Sequence, residues 1–186
     1  TQEILDYSKQ VFLNGTGYRE KFEQELEKFE GVSNGSLPKI FGTGAPLGKT
    51  VSLIKEIQKD GFKITSKVDM IPKGNSSYFM SKALGEGIIK FSEIFRKVKP
   101  DINLILGDRD EAFASAIAAS HMNIPNAHIH GGEISRGIDE YNRHAITKIS
   151  NIHFTATEKS KKRVIRLGEN PKYVFSVSYT HLRAHE

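Results

Sequence analysis

An α/β fold on a mostly parallel sheet is what this 186-residue chain predicts. From residue 76 onward, strand-length apolar runs alternate with helix-period segments of roughly 10 to 20 residues, the pattern of βαβ units. Glycine-containing, charged loops at residues 107–111 and 131–139 follow two of those runs. In parallel sheets, ligands sit beyond the carboxyl ends of the strands, so these loops are where chemistry is expected.

The elements follow in order. Ser76 and Ser77 can cap a helix whose apolar positions include Met80, Leu84, Gly87, Ile88, Phe91, Ile94, Phe95 and Val98. That spacing makes one broad apolar stripe, ended by Pro100. Residues 102–106 read as a buried strand, and the Ala-rich segment 112–121 as a narrow helix able to pack closely on a sheet. Pro125 introduces a second strand at 127–130, which runs into Gly131-Gly132. A helix at 140–150, a strand at 152–155, a helix at 158–167 stopped by Gly168 and a strand at 173–177 complete the series. Upstream, residues 50–59 read as a helix and 62–70 as a strand. Residues 18–30 form an amphipathic helix with Phe22, Leu26 and Phe29 on one side. Residues 33–46 read as loop, with a compositional seam near 31–48.

Composition bounds the function. Apolar residues make 38% and charged residues 26% of the chain, near globular averages, so a disordered or fibrous protein is excluded. The densest apolar stretches are of strand length, far below the roughly 18 residues of a membrane helix. With no cysteine there is no disulfide, thiolate metal site or cysteine nucleophile. The opening residues also lack the basic and apolar regions of a signal peptide, so the expected setting is cytoplasmic. The net charge is +5, but residues 1–36 hold seven acids against four bases, which leaves the rest of the chain at +8. Such a balance suits an anionic partner, either nucleic acid or a phosphorylated small molecule.

Several strings carry candidate chemistry. GTGAPLGKT (42–50) approaches a phosphate loop, but Thr43 stands where the pattern needs glycine and no strand is read before it. Asp108 follows a strand and precedes a helix; it, Asp110 and Glu111 fit either a reactive carboxylate or ordinary helix capping. In HIHGGE (128–133), His128 and His130 would share a face on a strand. They are a candidate metal pair for a hydrolase, with Asp108 or Glu133 adding oxygen. Asp139 and Arg143, at i and i+4, fit a surface ion pair or a carboxylate and cation aimed at one cleft. Lys159, Lys161, Lys162, Arg163 and Arg166 read as a solvated face, or as a basic module for nucleic acid, though without interleaved aromatics.

Taken in order, GDR, HIHGGE, IDE-x-x-RHAITK and TATE, within residues 107–171, closely resemble the UDP-N-acetylglucosamine 2-epimerase family. The similarity is strongest to hydrolysing enzymes of sialic and legionaminic acid synthesis, and it covers about residues 48–177. The resemblance implies a Rossmann-like parallel sheet with helices on both faces, one half of a glycosyltransferase-B-like architecture. The implied reaction eliminates UDP across C1–C2 to a glycal, then adds water to release UDP and N-acetylmannosamine. The C2 proton is feebly acidic, so a base, a proton donor and cations near the diphosphate are required. By resemblance, Asp108 and Asp139 match acid–base carboxylates, Arg143 a cationic partner, and His130 or Glu133 a further acid–base group. Arg109, Gly131, Gly132 and His144 match substrate-binding positions. No metal or other cofactor is implied. The partner is a UDP-sugar, with no nucleic acid and no membrane, and the full-length enzyme is expected to be a homo-oligomer. A diacetamido sugar such as diacetylbacillosamine is the alternative substrate.

The ends depart from that pattern. Residues 1–47 lack the family's opening strand and loop, and 7–36 look somewhat like sugar-nucleotide aminotransferases that use pyridoxal phosphate. The closing SYTHLRAHE (178–186) resembles sequencing-adapter read-through. The sequence thus divides into a poorly matching segment 1–47, a Rossmann-like half at 48–177 and a non-native tail. The chain is expected to be inactive alone, because half a cleft cannot enclose a diphosphate sugar and exclude water.

Overall fold

The computed structural model describes residues 40–43, 65–70, 74 and 76–177. Five strands, β1 (Ile40–Thr43), β2 (Ile102–Leu106), β3 (Asn126–Ile129), β4 (Ile152–Thr155) and β5 (Val174–Ser176), form a parallel sheet in that spatial order. The helices between them are α1 (Ser77–Val98), α2 (Asp110–His121), α3 (Ile138–Lys148) and α4 (Glu158–Arg166), with a 3-10 turn at Pro171–Tyr173. No described helix is long and apolar enough to cross a membrane. The expected helices at 18–30 and 50–59, most of the phosphate-loop string, the aminotransferase-like segment and the tail lie outside the described residues.

The two faces of the sheet differ in character. Ile102, Leu104, Ala127, Ile129, Ile152 and Phe154 form one apolar cluster with Val177. Alternate positions of the same strands face α2 and α3, where Ile105 packs with Ala112, Ala116 and Ile146. The Ala-rich composition of α2 explains its place. Its other side, with Ala114, Ala118 and Ala119, receives Phe91 and Phe95 of α1, so the helix is packed on both sides and has no room for larger residues.

The helix-facing side also buries polar groups, most of them held by hydrogen bonds, although Nδ1 of the buried His153 has no partner among the described residues. Asn126 donates through Nδ2 to the carbonyls of Ala116 and Ile149, each at 3.0 Å, and its Oδ1 accepts from Asn103 Nδ2 at 2.9 Å. Ser115 Oγ donates to Asn103 Oδ1 at 3.2 Å, and Asn151 Oδ1 accepts from the Asn126 backbone. One strand along, His128 and His153 are paired in register and fully buried. His153 faces Glu169, which also holds Lys148 at 2.5 Å.

Four details correct the sequence reading. Residues 40–43 are a strand, although 33–46 read as loop: pairing with β2 overrides weak local signals, and the sheet reaches upstream of residue 48. Residues 65–70 carry no regular structure; Val68 and Met70 instead pack into the α1–α2 cluster, and Met70 fills the space left by Gly87. Ser76 is the cap residue of α1, yet its side chain makes no cap bond. Strand β3 stops at Ile129, because His130 turns to a φ of 68°.

Two expected outcomes follow. Asn126→Ala strands two buried carbonyls and the Asn103 amide, and should lower unfolding stability by about 3 kcal/mol in urea denaturation. Burial holds His128 down to about 3, and burial also lowers His130 and His153. A histidine depressed by folding stabilises above its ordinary value of 6.5, and that stability is lost as pH falls toward the folded value. His128 alone should remove on the order of 2 kcal/mol between about pH 7 and about pH 5, measurable as a falling urea midpoint.

Candidate active site

The loops leaving β2 and β3 meet the first turns of α3 and α4 at the carboxyl edge of the sheet. Asp108 sits between Gly107, whose φ is 82°, and Arg109, the N-cap residue of α2. Its carboxylate pairs with the Arg143 guanidinium of α3. The N-cap position of α2 is Arg109, which makes no side-chain cap bond. The same guanidinium donates through Nη1 to the Glu133 carbonyl at 3.1 Å and to Ser135 Oγ at 2.9 Å, and lies 3.5 Å from Glu140. Arg143 is buried, so its cation is committed to tying both loops to α3. Of the two readings of Asp139 and Arg143, the surface ion pair is not what forms: Arg143 reaches across to Asp108, and Asp139 acts electrostatically on that same carboxylate.

The second loop is closely fitted. At Gly132, φ is 74° and an added Cβ would lie 2.3 Å from the Ser160 carbonyl in α4, so only glycine is accommodated. The Gly132 carbonyl accepts from Arg163 Nη1 at 2.5 Å. Thr157 caps α4, accepting from the Ser160 backbone at 3.1 Å. Arg163, read from sequence as part of a solvated face, therefore has a structural partner in this loop.

Burial and charge set the protonation states. Burial raises the Asp108 carboxyl above its ordinary value, against the pull of Arg143, and nearby Asp139 adds to the rise. Burial likewise raises Glu111. Burial lowers His130, although the charges of Glu133 and Asp108 oppose this and Arg143 adds to it. These mutual influences place Asp108, His130, Glu133 and Arg143 in one electrostatic neighbourhood, with Asp139 acting on Asp108. The left-handed backbone of His130, uncommon for a residue with a side chain, turns it away from the alternation of β3.

The metal-pair expectation for His128 and His130 is corrected on that ground. The two do not share a strand face, and both ring nitrogens of His128 are engaged, with Thr147 Oγ1 and the Gly107 carbonyl. Among the described residues no group of three or more metal-ligating side chains converges. The remaining expected positions differ in exposure. Arg109 is exposed but within electrostatic reach of Asp108, and His144 lies 3.3 Å from Glu140. Gly131 packs on His128 and Thr147. Sequence reasoning assigned nothing to Ser135, Thr147 or Asn142, which donates to Asp110 at 2.9 Å. Polar residues of these types are common, and no spacing distinguishes a loop clamp from solvated surface.

Comparison with known proteins gives the family. A family model described as UDP-N-acetylglucosamine 2-epimerase matches residues 38–184. A Legionella pneumophila UDP-N,N'-diacetylbacillosamine 2-epimerase (hydrolyzing) is 48% identical over 126 residues, covering 67% of this chain and 33% of that protein. A Campylobacter jejuni GDP/UDP-N,N'-diacetylbacillosamine 2-epimerase (hydrolyzing) is 40% identical over 140 residues, covering 74% and 36%. The chain thus spans about a third of the length of these curated relatives. The crystal structure of a Neisseria meningitidis UDP-GlcNAc 2-epimerase bound to UDP-GlcNAc superposes with a TM-score of 0.65 at 22% identity, covering 95% of this chain and 43% of that one, which supports the fold. With the family model covering most of its length, this chain belongs to the UDP-N-acetylglucosamine 2-epimerase family.

Proposed function

We propose that this chain supplies one half of the active site of a hydrolysing UDP-sugar 2-epimerase. The observation that carries the reading is a raised, half-buried Asp108 held by a buried Arg143 beside His130 and Glu133, at the carboxyl edge of a parallel sheet.

The reaction needs a base for the C2 proton while the C1–O bond to UDP breaks, and then a proton returned to the opposite face of C2 as water adds at C1. A carboxylate raised toward working pH is a stronger base than an ordinary one, which suits Asp108; Asp139 is the other carboxylate candidate. A histidine kept neutral offers one N–H and one lone pair, so His130 can give or take a proton. Glu133 is the other candidate for that step. Arg143 keeps Asp108 oriented, while Arg109 and His144 stand at the rim where a substrate would enter. The UDP-sugar, the oligomeric complete enzyme and a cytoplasmic setting belong to the same proposal, as does the need for the remainder of the family's length to close the cleft.

The sugar has two readings. N-acetylglucosamine follows from the family as a whole. The diacetamido sugar is favoured by the two relatives at 48% and 40% identity, both named diacetylbacillosamine 2-epimerases.

The test joins this chain, through Val177, to the remaining length of the Legionella relative and follows UDP release from each UDP-sugar. Release with the 2-epimer as product supports the proposal, and the faster substrate decides the sugar; no release from either would sink it. In that enzyme Asp108→Asn should cut kcat by about 10²-fold to about 10⁴-fold, the usual weight of a general base. Between His130→Asn and Glu133→Gln, the larger loss of kcat identifies the second proton carrier.

A further inference from the structure

We propose that His128, a buried histidine outside the reacting cluster, is a positioning residue that fixes the peptide presenting Asp108. The proposal rests on the epimerase reading for its catalytic consequence, but its structural content stands apart from that reading.

The argument begins with which atoms can donate. The Gly107 carbonyl lies 2.9 Å from His128 Nε2, and a carbonyl only accepts, so Nε2 carries the proton. Nδ1 of a neutral ring is then an acceptor, and the Thr147 hydroxyl at 3.1 Å donates to it. The tautomer is thereby set from α3, through an imidazole on β3, to a carbonyl at the end of β2. Burial reinforces this by keeping the ring uncharged, with a pKa pushed down to about 3.

What the ring grips is not an ordinary peptide. Gly107 has a left-handed φ of 82°, its N–H donates to the Ile129 carbonyl at 3.2 Å, and its carbonyl belongs to the peptide bond leading into Asp108. Both polar groups of Gly107 are therefore fixed from β3, one by main chain and one by His128. Without the His128 bond, a peptide next to a glycine could rotate and carry the Asp108 backbone with it. The other site loop meets the same ring. A Cβ on Gly131 would lie 3.1 Å from Nδ1 and 3.2 Å from Thr147 Oγ1, so the backbone after His130 rests on the Thr147–His128 bond. One imidazole thus sets the position of one loop and supports the other, with its two ring nitrogens bonded to Thr147 and Gly107 rather than to Asp108 or Arg143.

Two measurements test the proposal. On the 186-residue chain, long-range nitrogen–proton NMR of the His128 ring should show the neutral Nε2–H tautomer throughout about pH 5 to about pH 8. An Nδ1–H tautomer, or titration within that range, would overturn it. In the joined enzyme described above, His128→Leu removes the donor and should lower kcat by about 10²-fold with KM nearly unchanged, the scale of a small misplacement of a reacting group. His128→Gln, which can still present an N–H toward the Gly107 carbonyl, should recover most of that loss. Equal losses in Leu and Gln, or no loss in Leu, would refute the positioning role. If the unsubstituted enzyme releases no UDP, the epimerase reading fails, and the NMR result alone decides the tautomer and the grip.

Discussion

A single buried guanidinium holds the site together. Removing a charged group from water costs several kcal/mol unless its hydrogen bonds and counter-charge are replaced. The two terminal nitrogens of Arg143 receive those replacements from three separate pieces of chain: Asp108 after β2, Glu133 and Ser135 after β3, and Glu140 on its own helix, while Nε has no partner among the described residues. Because no one segment can satisfy the cation, the two loops must assume their places together. The fan of nitrogens on a planar guanidinium makes this feasible, where a point-like ammonium could not reach the same acceptors in fixed directions. The rest of the edge is arranged around that demand. Glu140 accepts from the Ser135 backbone at 2.5 Å, and that bond lowers its pKa, so the loop is also secured from within α3.

Around this centre, two histidines two residues apart have opposite fates. His128 continues the alternation of β3 into the layer beneath the loops and is enclosed by carbonyl and hydroxyl. His130 leaves the strand through a left-handed turn and comes under the influence of Glu133, Asp108 and Arg143. The strand's end between them, at Ile129, separates a group committed to architecture from one left with chemistry to do.

Much of this was legible in the sequence. The apolar runs at 102–106 and 152–155 match their strands, because burial on both faces leaves little freedom in composition. The ordered motifs named the loops that converge. Pairings in space were less readable. Strand β1 has only four residues, IFGT, and takes its conformation from β2 rather than from its own propensity. The i, i+4 spacing of Asp139 and Arg143 suggested a local pair, but the long arginine stem reaches a better partner across the cleft. The exit of His130 from β3 had no signal in a string that alternates well, since the turn depends on the fitted glycines that follow.

The asparagines at the base of the sheet have a consequence for how the strands find one another. Parallel strands separated by helices must select their alignment over long stretches of chain, and a slip by one residue would exchange the two faces of a strand. In this sheet such a slip would drive Asn103 or Asn126 into the apolar layer with Ile129 and Phe154, leaving amides without partners, and would lift isoleucines against the backbone carbonyls of Ala116 and Ile149. The amide network therefore works as a key cut for one alignment. It makes near-miss pairings expensive during folding, and it holds the loops at the opposite edge in the frame their chemistry needs.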